Sequence, residues 1–202
     1  MNSAPIIGVL ALQGGVREHL GSLTAAGAQA KAVHSLGDLA SIQGLVIPGG
    51  ESTVMSKLAI QDGLLEPLRQ ARASGMAMFG SCAGMIMLAN QVSDARADQE
   101  FIGGIDMSVR RNAFGSQIDS FEMDLEVQGI GGVSFPAVFI RAPWVEEVGP
   151  EVQILSTISK GPRAGTIVAV QQGPLLATSF HPELTGDIRI HATFVEIVRQ
   201  YA

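Results

Sequence analysis

Short apolar runs alternate with segments of helical periodicity through the first half of the chain. Residues 6–12 are apolar and end at Gly14-Gly15, as expected of a strand covered on both faces. Val16, Leu20 and Leu23 then recur at helical spacing, with Arg17 and Glu18 on the polar side, until Gly27 ends the segment. Residues 30–33 and 45–47 are the next strand candidates, the second closed by Pro48-Gly49-Gly50. The pattern predicts helices over residues 53–59 and 64–73, a strand over 76–79, and a helix through Met85, Ile86 and Leu88. Such alternation with short connections implies a parallel sheet with helices on both faces.

The second half is richer in strands, over residues 121–127, 137–140, 152–158, 166–170 and 175–179. Gln171-Gln172-Gly173-Pro174 is a hairpin signal between the last two. A final helix carries Ile190, Phe194, Ile197, Val198 and Tyr201 on one face, and residues 91–104 read as an exposed loop. No linker, repeat or low-complexity tract interrupts the pattern. The expectation is one α/β domain over residues 1–202: a three-layer sandwich around a mostly parallel sheet, with antiparallel additions in the second half.

Composition narrows the function classes. The 202 residues are 47% hydrophobic, enough for a sizeable core and too apolar for disorder. A formal charge of -6 without a basic block argues against nucleic-acid binding. One cysteine makes no internal disulfide and fits a reducing compartment. The first residues lack a secretory pattern, and no apolar stretch reaches the ~18 to 20 residues of a membrane span. The chain is expected to be soluble and cytoplasmic.

That cysteine, Cys82, sits in Phe79-Gly80-Ser81-Cys82-Ala83-Gly84, at a predicted strand-to-helix junction. Small neighbours tolerate the backbone of a sharp nucleophile turn, and a following helix favours thiolate at its N-terminus. Downstream, His181-Pro182-Glu183 offers a base and a carboxylate to orient it. A residue before proline is pushed toward extended geometry, where positions i and i+2 point the same way. Each residue alone has an ordinary reading, Cys82 as a small core residue and His181 as a structural hydrogen-bonder. Pro48-Gly49-Gly50-Glu51-Ser52-Thr53 reads as a tight turn with Ser52 or Thr53 capping a helix, and also as backbone N–H groups bare enough for an oxyanion hole. His19, His34 and His191 read as structural and without partners. No metal-ligand spacing or dinucleotide fingerprint is present, so neither a metal nor a cofactor is expected.

With these residues in hand, the chain resembles the class I, triad-type glutamine amidotransferases, and within them the glutaminase subunits of pyridoxal 5'-phosphate synthase. The resemblance runs almost end to end. It rests on Leu12 through His19, Pro48 through Thr53, Phe79 through Gly84, Arg111-Asn112-Ala113-Phe114-Gly115, Asp119-Ser120-Phe121, Phe139-Ile140-Arg141-Ala142-Pro143 and Ser179 through Thr185. Ser81 stands where the family often has threonine, and Ser116 where an arginine is common. The resemblance implies hydrolysis of L-glutamine to glutamate and ammonia by Cys82, His181 and Glu183. It also implies an oxyanion hole at Gly50 and Ala83, and substrate contacts from Gly50, Glu51, Ser52, Arg111, Ile140 and Arg141. The partner it implies is the pyridoxal 5'-phosphate synthase subunit, which forms a dodecameric core with one glutaminase per synthase chain. The competing readings are a glutaminase for another synthase, a chaperone, deglycase or peptidase with a nucleophile-turn cysteine, and a silent binding module. Arg111-Asn112-Ala113-Phe114-Gly115 argues against the first, and the His181–Glu183 pair against the others.

Overall fold

The computed structural model describes residues 3–111 and 120–202, so the expected family segment 112–116 and Asp119 lie outside the described residues. The first apolar run forms β1 (Ile6–Leu10), and Gly14-Gly15 leads into α1 (Val16–Ala25). β2 (Gln29–Val33) follows, then a one-turn helix α2 (Leu36–Leu39) whose cap, Ser35, accepts from the Asp38 N–H. β3 (Gly44–Ile47), α3 (Ser52–Gln61), α4 (Leu65–Ala73) and β4 (Ala77–Ser81) complete the alternating part. Beyond Cys82, α5 (Ala83–Leu88) runs without a loop into β5 (Ala89–Ser93). Then come β6 (Ile105–Arg110), β7 (Ser120–Leu125) and β8 (Phe135–Ile140). β9 (Trp144–Val148), β10 (Gln153–Thr157), β11 (Ile167–Gln172) and β12 (Leu175–Thr178) follow. A 3-10 turn, Pro182–Leu184, precedes α6 (Arg189–Tyr201).

The main sheet has the order β2-β1-β3-β4-β12-β11-β9-β6-β5, with β10 paired to β11. β2, β1, β3, β4 and β12 are parallel. β11 runs antiparallel to β12, β9 and β10, and β6 antiparallel to β9. The expected hairpin is present: Gln172 pairs with Leu175 across Gly173-Pro174. β7 and β8 form a separate antiparallel pair. This is the expected mostly parallel α/β sheet with antiparallel strands added in the second half.

Strict alternation in the parallel strands feeds two cores, as burial on both faces requires. Leu45, Ile47 and Met78 pack with Met55, Leu68 and Met85 from α3, α4 and α5. Val46, Val9 and Phe79 face the other way, onto Leu23 of α1, Phe194 and Val198 of α6, and Phe139 of β8. In α6 the expected stripe is buried except for Tyr201, which is exposed.

α2, β5, β6 and β9 lie outside the elements the hydrophobic pattern suggests. β5 occupies the start of the expected loop at residues 91–104. Its Asn90 and Gln91 are exposed because, among the described residues, the strand is the sheet edge and pairs with β6 alone. β9 carries Glu146 and Glu147, and Glu146 is neutralised by Arg110 of β6 at 2.6 Å. Among the described residues no helix is long and apolar enough to cross a membrane. The loops that follow β1, β3, β4 and β12 leave the carboxyl edge of the parallel strands together, where open α/β sheets hold their ligands.

Candidate active site

Cys82 occupies the junction between β4 and α5 with φ 50° and ψ -104°, a conformation a side-chain-bearing residue rarely adopts. Its N–H donates to the Thr178 carbonyl of β12 at 2.8 Å, which ties the turn to the neighbouring strand. The flanking glycines are sterically required. A Cβ on Gly80 would stand 2.3 Å from the Gly84 carbonyl, and one on Gly84 would stand 2.0 Å from the Ile47 carbonyl. α5 can therefore press close enough onto β3 and β4 to aim residue 82 outward. The thiol donates to the Ile140 carbonyl at 3.8 Å.

β12 runs parallel to β4 with Thr178 opposite Ser81, so the chain leaving it passes Cys82. His181 follows, its N–H held by the Val138 carbonyl at 2.8 Å and its ring beside Cys82 at the cavity wall. His181 Nδ1 lies 2.8 Å from Glu183 Oε1. Pro182 predicts an extended segment between the two residues, and the geometry differs. His181 is followed by a 3-10 turn, and that turn folds Glu183 back under the ring. Burial acts to lower the pKa of His181, but the hydrogen bonds and charges of Cys82 and Glu183 outweigh it and carry it up to about 10. Burial acts to raise Glu183, yet the His181 hydrogen bond and the facing imidazoles hold its carboxyl below the ordinary range.

The Pro48–Thr53 turn passes directly over this pair. A Cβ on Gly49 would meet the His181 ring at 2.4 Å and the Cys82 Cβ at 3.4 Å. The helix cap is Glu51 rather than Ser52 or Thr53: its carboxylate accepts from the Thr53 N–H at 3.2 Å and the Val54 N–H at 3.1 Å. Glu51 also pairs with Arg111 at 3.1 Å. Gln99 joins the same corner, accepting from Arg111 at 3.0 Å and donating to the Ser52 hydroxyl at 3.1 Å.

A cavity of about 400 Å³ opens over Cys82. Cys82, Ala83, His181, Gly50, Glu51, Ser52, Arg111, Ile140 and Arg141, all singled out in the sequence, line it. Glu183 does not, being buried behind His181.

Residues 9–200 match the family described as the SNO glutamine amidotransferase family. The chain belongs to the SNO glutamine amidotransferase family. Among its curated relatives is the "Pyridoxal 5'-phosphate synthase subunit PdxT" of Salinispora arenicola, 60% identical over 197 residues and covering 98% of both chains. A crystal structure described as a glutamine amidotransferase superposes with a TM-score of 0.87 at 44% identity, over 96% of this chain and 98% of the other. The structure of PurLQS from Thermotoga maritima superposes with a TM-score of 0.66, over 98% of this chain and 99% of the other. At 15% identity it shares the fold alone.

Three features of this family member lie outside the residues given a site role from the sequence. Gln13 lines the cavity and donates to the Glu51 carbonyl at 2.6 Å. Gln99 reaches the same corner from the stretch that reads as loop. His19 and His191, which the sequence leaves without partners, are fully buried and face each other, Nδ1 to Nε2, at 2.9 Å. A signal is present: His19 falls four residues before Leu23, and His191 three before Phe194, each in a helix's apolar stripe.

Proposed function

We propose that this chain is the glutaminase subunit of a pyridoxal 5'-phosphate synthase, acting in the cytoplasm. It hydrolyses L-glutamine to glutamate and passes the ammonia to a synthase subunit. The observation that carries this reading is the run from Cys82 through His181 to Glu183, opening at one end into a cavity large enough for an amino acid and closed at the other by burial. The curated relatives' name supplies the pathway and the partner.

The chemistry follows from the arrangement. Cys82 thiolate attacks the side-chain amide carbonyl of glutamine, and its electrons move onto the carbonyl oxygen. The N–H groups of Gly50 and Ala83 receive that oxyanion, a contribution of roughly 3 to 4 kcal/mol per donor in other enzymes. His181, as imidazolium, gives its proton to the departing nitrogen, and ammonia leaves a γ-glutamyl thioester. The neutral imidazole then takes a proton from water, hydroxide adds to the thioester, and collapse expels the thiolate and glutamate. Glu183 keeps Nδ1 protonated throughout, so Nε2 always faces the sulfur and the substrate.

Of the two arginines at the cavity, Arg111 is already engaged by Glu51 and Gln99. Arg141 is exposed, lines the cavity, and has no ion pair among the described residues. Arg141 is therefore the group for the substrate α-carboxylate, and Arg111 braces the Glu51 turn. Ammonia released into water becomes ammonium, which is no nucleophile, so the product has value only when delivered within a complex. One glutaminase on each chain of a dodecameric synthase core is the assembly we propose.

The test is glutamate release from L-glutamine by the chain alone and with the synthase subunit, using Cys82→Ala as control. Release that rises on adding the partner and vanishes in the variant is the expected result. Release that persists in Cys82→Ala, or never occurs in the complex, overturns the reading.

A further inference from the structure

Behind the proposed triad lies a second polar layer that this reaction does not use. Glu183 Oε1 is occupied by His181, but Oε2 is fully buried with no hydrogen-bond partner among the described residues. The nitrogen facing it is His19 Nε2, at 3.4 Å. The same Nε2 lies 3.1 Å from the Ser81 hydroxyl, the residue before the nucleophile. On its other side, His19 Nδ1 meets His191 Nε2, and His191 Nδ1 has no partner among the described residues.

These contacts select one proton arrangement. If His19 carried its proton on Nδ1, it would donate to His191 Nε2. His191 would then bury an N–H on Nδ1 with no acceptor, and His19 would turn a lone pair toward the carboxylate. Both outcomes are costly. With the proton on His19 Nε2, His191 Nε2–H donates to His19 Nδ1. Among the described residues the unpartnered atom on that side is then a bare nitrogen, and the Nε2–H meets the Ser81 hydroxyl at 3.1 Å with Glu183 Oε2 standing 3.4 Å away. Burial, the largest influence on both rings, lowers the pKa of each, that of His191 to about 3, so both stay neutral. The charged or titratable groups acting on His19 are Glu183, His181, Glu18 and His191.

We propose that His19 is a positioning residue for glutamine hydrolysis: its Nε2–H, with the tautomer fixed by His191, steadies the second carboxylate oxygen of Glu183 and the Ser81 end of the nucleophile turn. The proposal rests on the triad reading above. A neutral donor suits the task. It orients the carboxylate without a competing positive charge, leaving the full negative charge of Glu183 for the His181 imidazolium.

The experiment compares wild type, Cys82→Ala, His19→Leu and His19→Gln in complex with the synthase subunit. It is paired with ring-nitrogen NMR of the histidine-labelled chain. His19→Leu removes the donor, and His19→Gln keeps an amide N–H near the place of Nε2. Removing the N–H that stands 3.4 Å from this buried, otherwise unpartnered carboxylate oxygen predicts a kcat lower by roughly 10- to 100-fold in His19→Leu, with KM for glutamine within about twofold. The alkaline limb of its kcat profile moves to lower pH, because a loosened Glu183 holds the His181 proton less firmly. His19→Gln restores most of the rate and the limb. In the wild-type spectrum, His19 and His191 are both expected as Nε2–H tautomers.

Wild-type kcat and pH profile in His19→Leu overturn the proposal, and so does a loss that tracks only a lower Tm or a higher KM. A His19 protonated on Nδ1 overturns it as well, and this reading decides the matter even if His19→Leu does not fold. If wild type itself hydrolyses no glutamine in a Cys82-dependent way, the proposed function fails, while the tautomers still test the contact to Glu183 by themselves.

Discussion

His181 and His191 sit two side chains apart and are driven in opposite directions. The first is pushed toward its cationic form by the Cys82 sulfur and the Glu183 carboxylate against its own burial, and the second is held neutral by burial. Stability should record both. His181 has a folded pKa above its unfolded value, so its contribution is complete below pH ~6.5 and is lost as pH rises toward about 10. His191 is depressed, so its contribution is complete above pH ~6.5 and is lost as pH falls toward about 3. Urea unfolding across this range should give a dome. Glu183→Gln should flatten its alkaline side and His191→Gln its acidic side; unchanged slopes would show that other groups control the curve. For catalysis, His181→Asn is expected to lower kcat by ~10²- to 10⁴-fold, as loss of a general acid-base does. Arg141→Gln should act mainly on KM, raising it roughly tenfold or more as a charge-assisted contact to the substrate carboxylate is lost. If Arg111→Gln raises KM and Arg141→Gln does not, the two roles are exchanged.

At the scale of elements, α5 is held against β3 and β4 by the absence of two Cβ atoms. Gly84→Ala would drive a methyl group into the Ile47 carbonyl, and the helix must move to admit it. The expected cost is ~1–3 kcal/mol of stability, with activity falling further than the Tm suggests because Cys82 rides on that helix. Wild-type turnover in Gly84→Ala would mean that the turn adapts without the helix. Phe194→Ala, on the opposite face, empties a fully buried ring site beside Phe79 and should cost ~3–5 kcal/mol, read by denaturant unfolding. The elements legible from the sequence are those whose pattern is self-contained. β3 is an unbroken apolar run closed by glycines, and the Cys82 turn carries its steric reason in its own glycines. β9 is hidden because Glu146 becomes tolerable in a strand only through Arg110 and Ser93, which other strands supply. β5 is hidden because an edge strand can be polar. The His19–His191 pair spans 172 positions, so each ring looks unpartnered to any local reading. Glu183 does reach His181, but through a 3-10 turn rather than the extended segment that Pro182 suggests.

Across the whole molecule, the parallel half and the antiparallel half meet at β12, which pairs with β4 on one side and β11 on the other. The strand that joins them is the last to be added, almost half the chain after β4. Without it β4 is an open edge of Met78 and Phe79, the kind of surface that recruits other chains. A fragment ending at residue 174 is expected to aggregate or remain unfolded. Sedimentation and circular dichroism would check this, and a monomer with native strand content would refute it. Distant pairings of this kind also slow folding. The same order has a consequence during synthesis. The Cys82 sulfur leaves the ribosome well before the Thr178 carbonyl that anchors its turn and before His181 and Glu183, the base and orienting carboxylate proposed for it. On the proposed reading, a chain that has emerged only as far as β4 carries the thiol without the means to use it, and hydrolysis waits until Glu183 has been made and folded back.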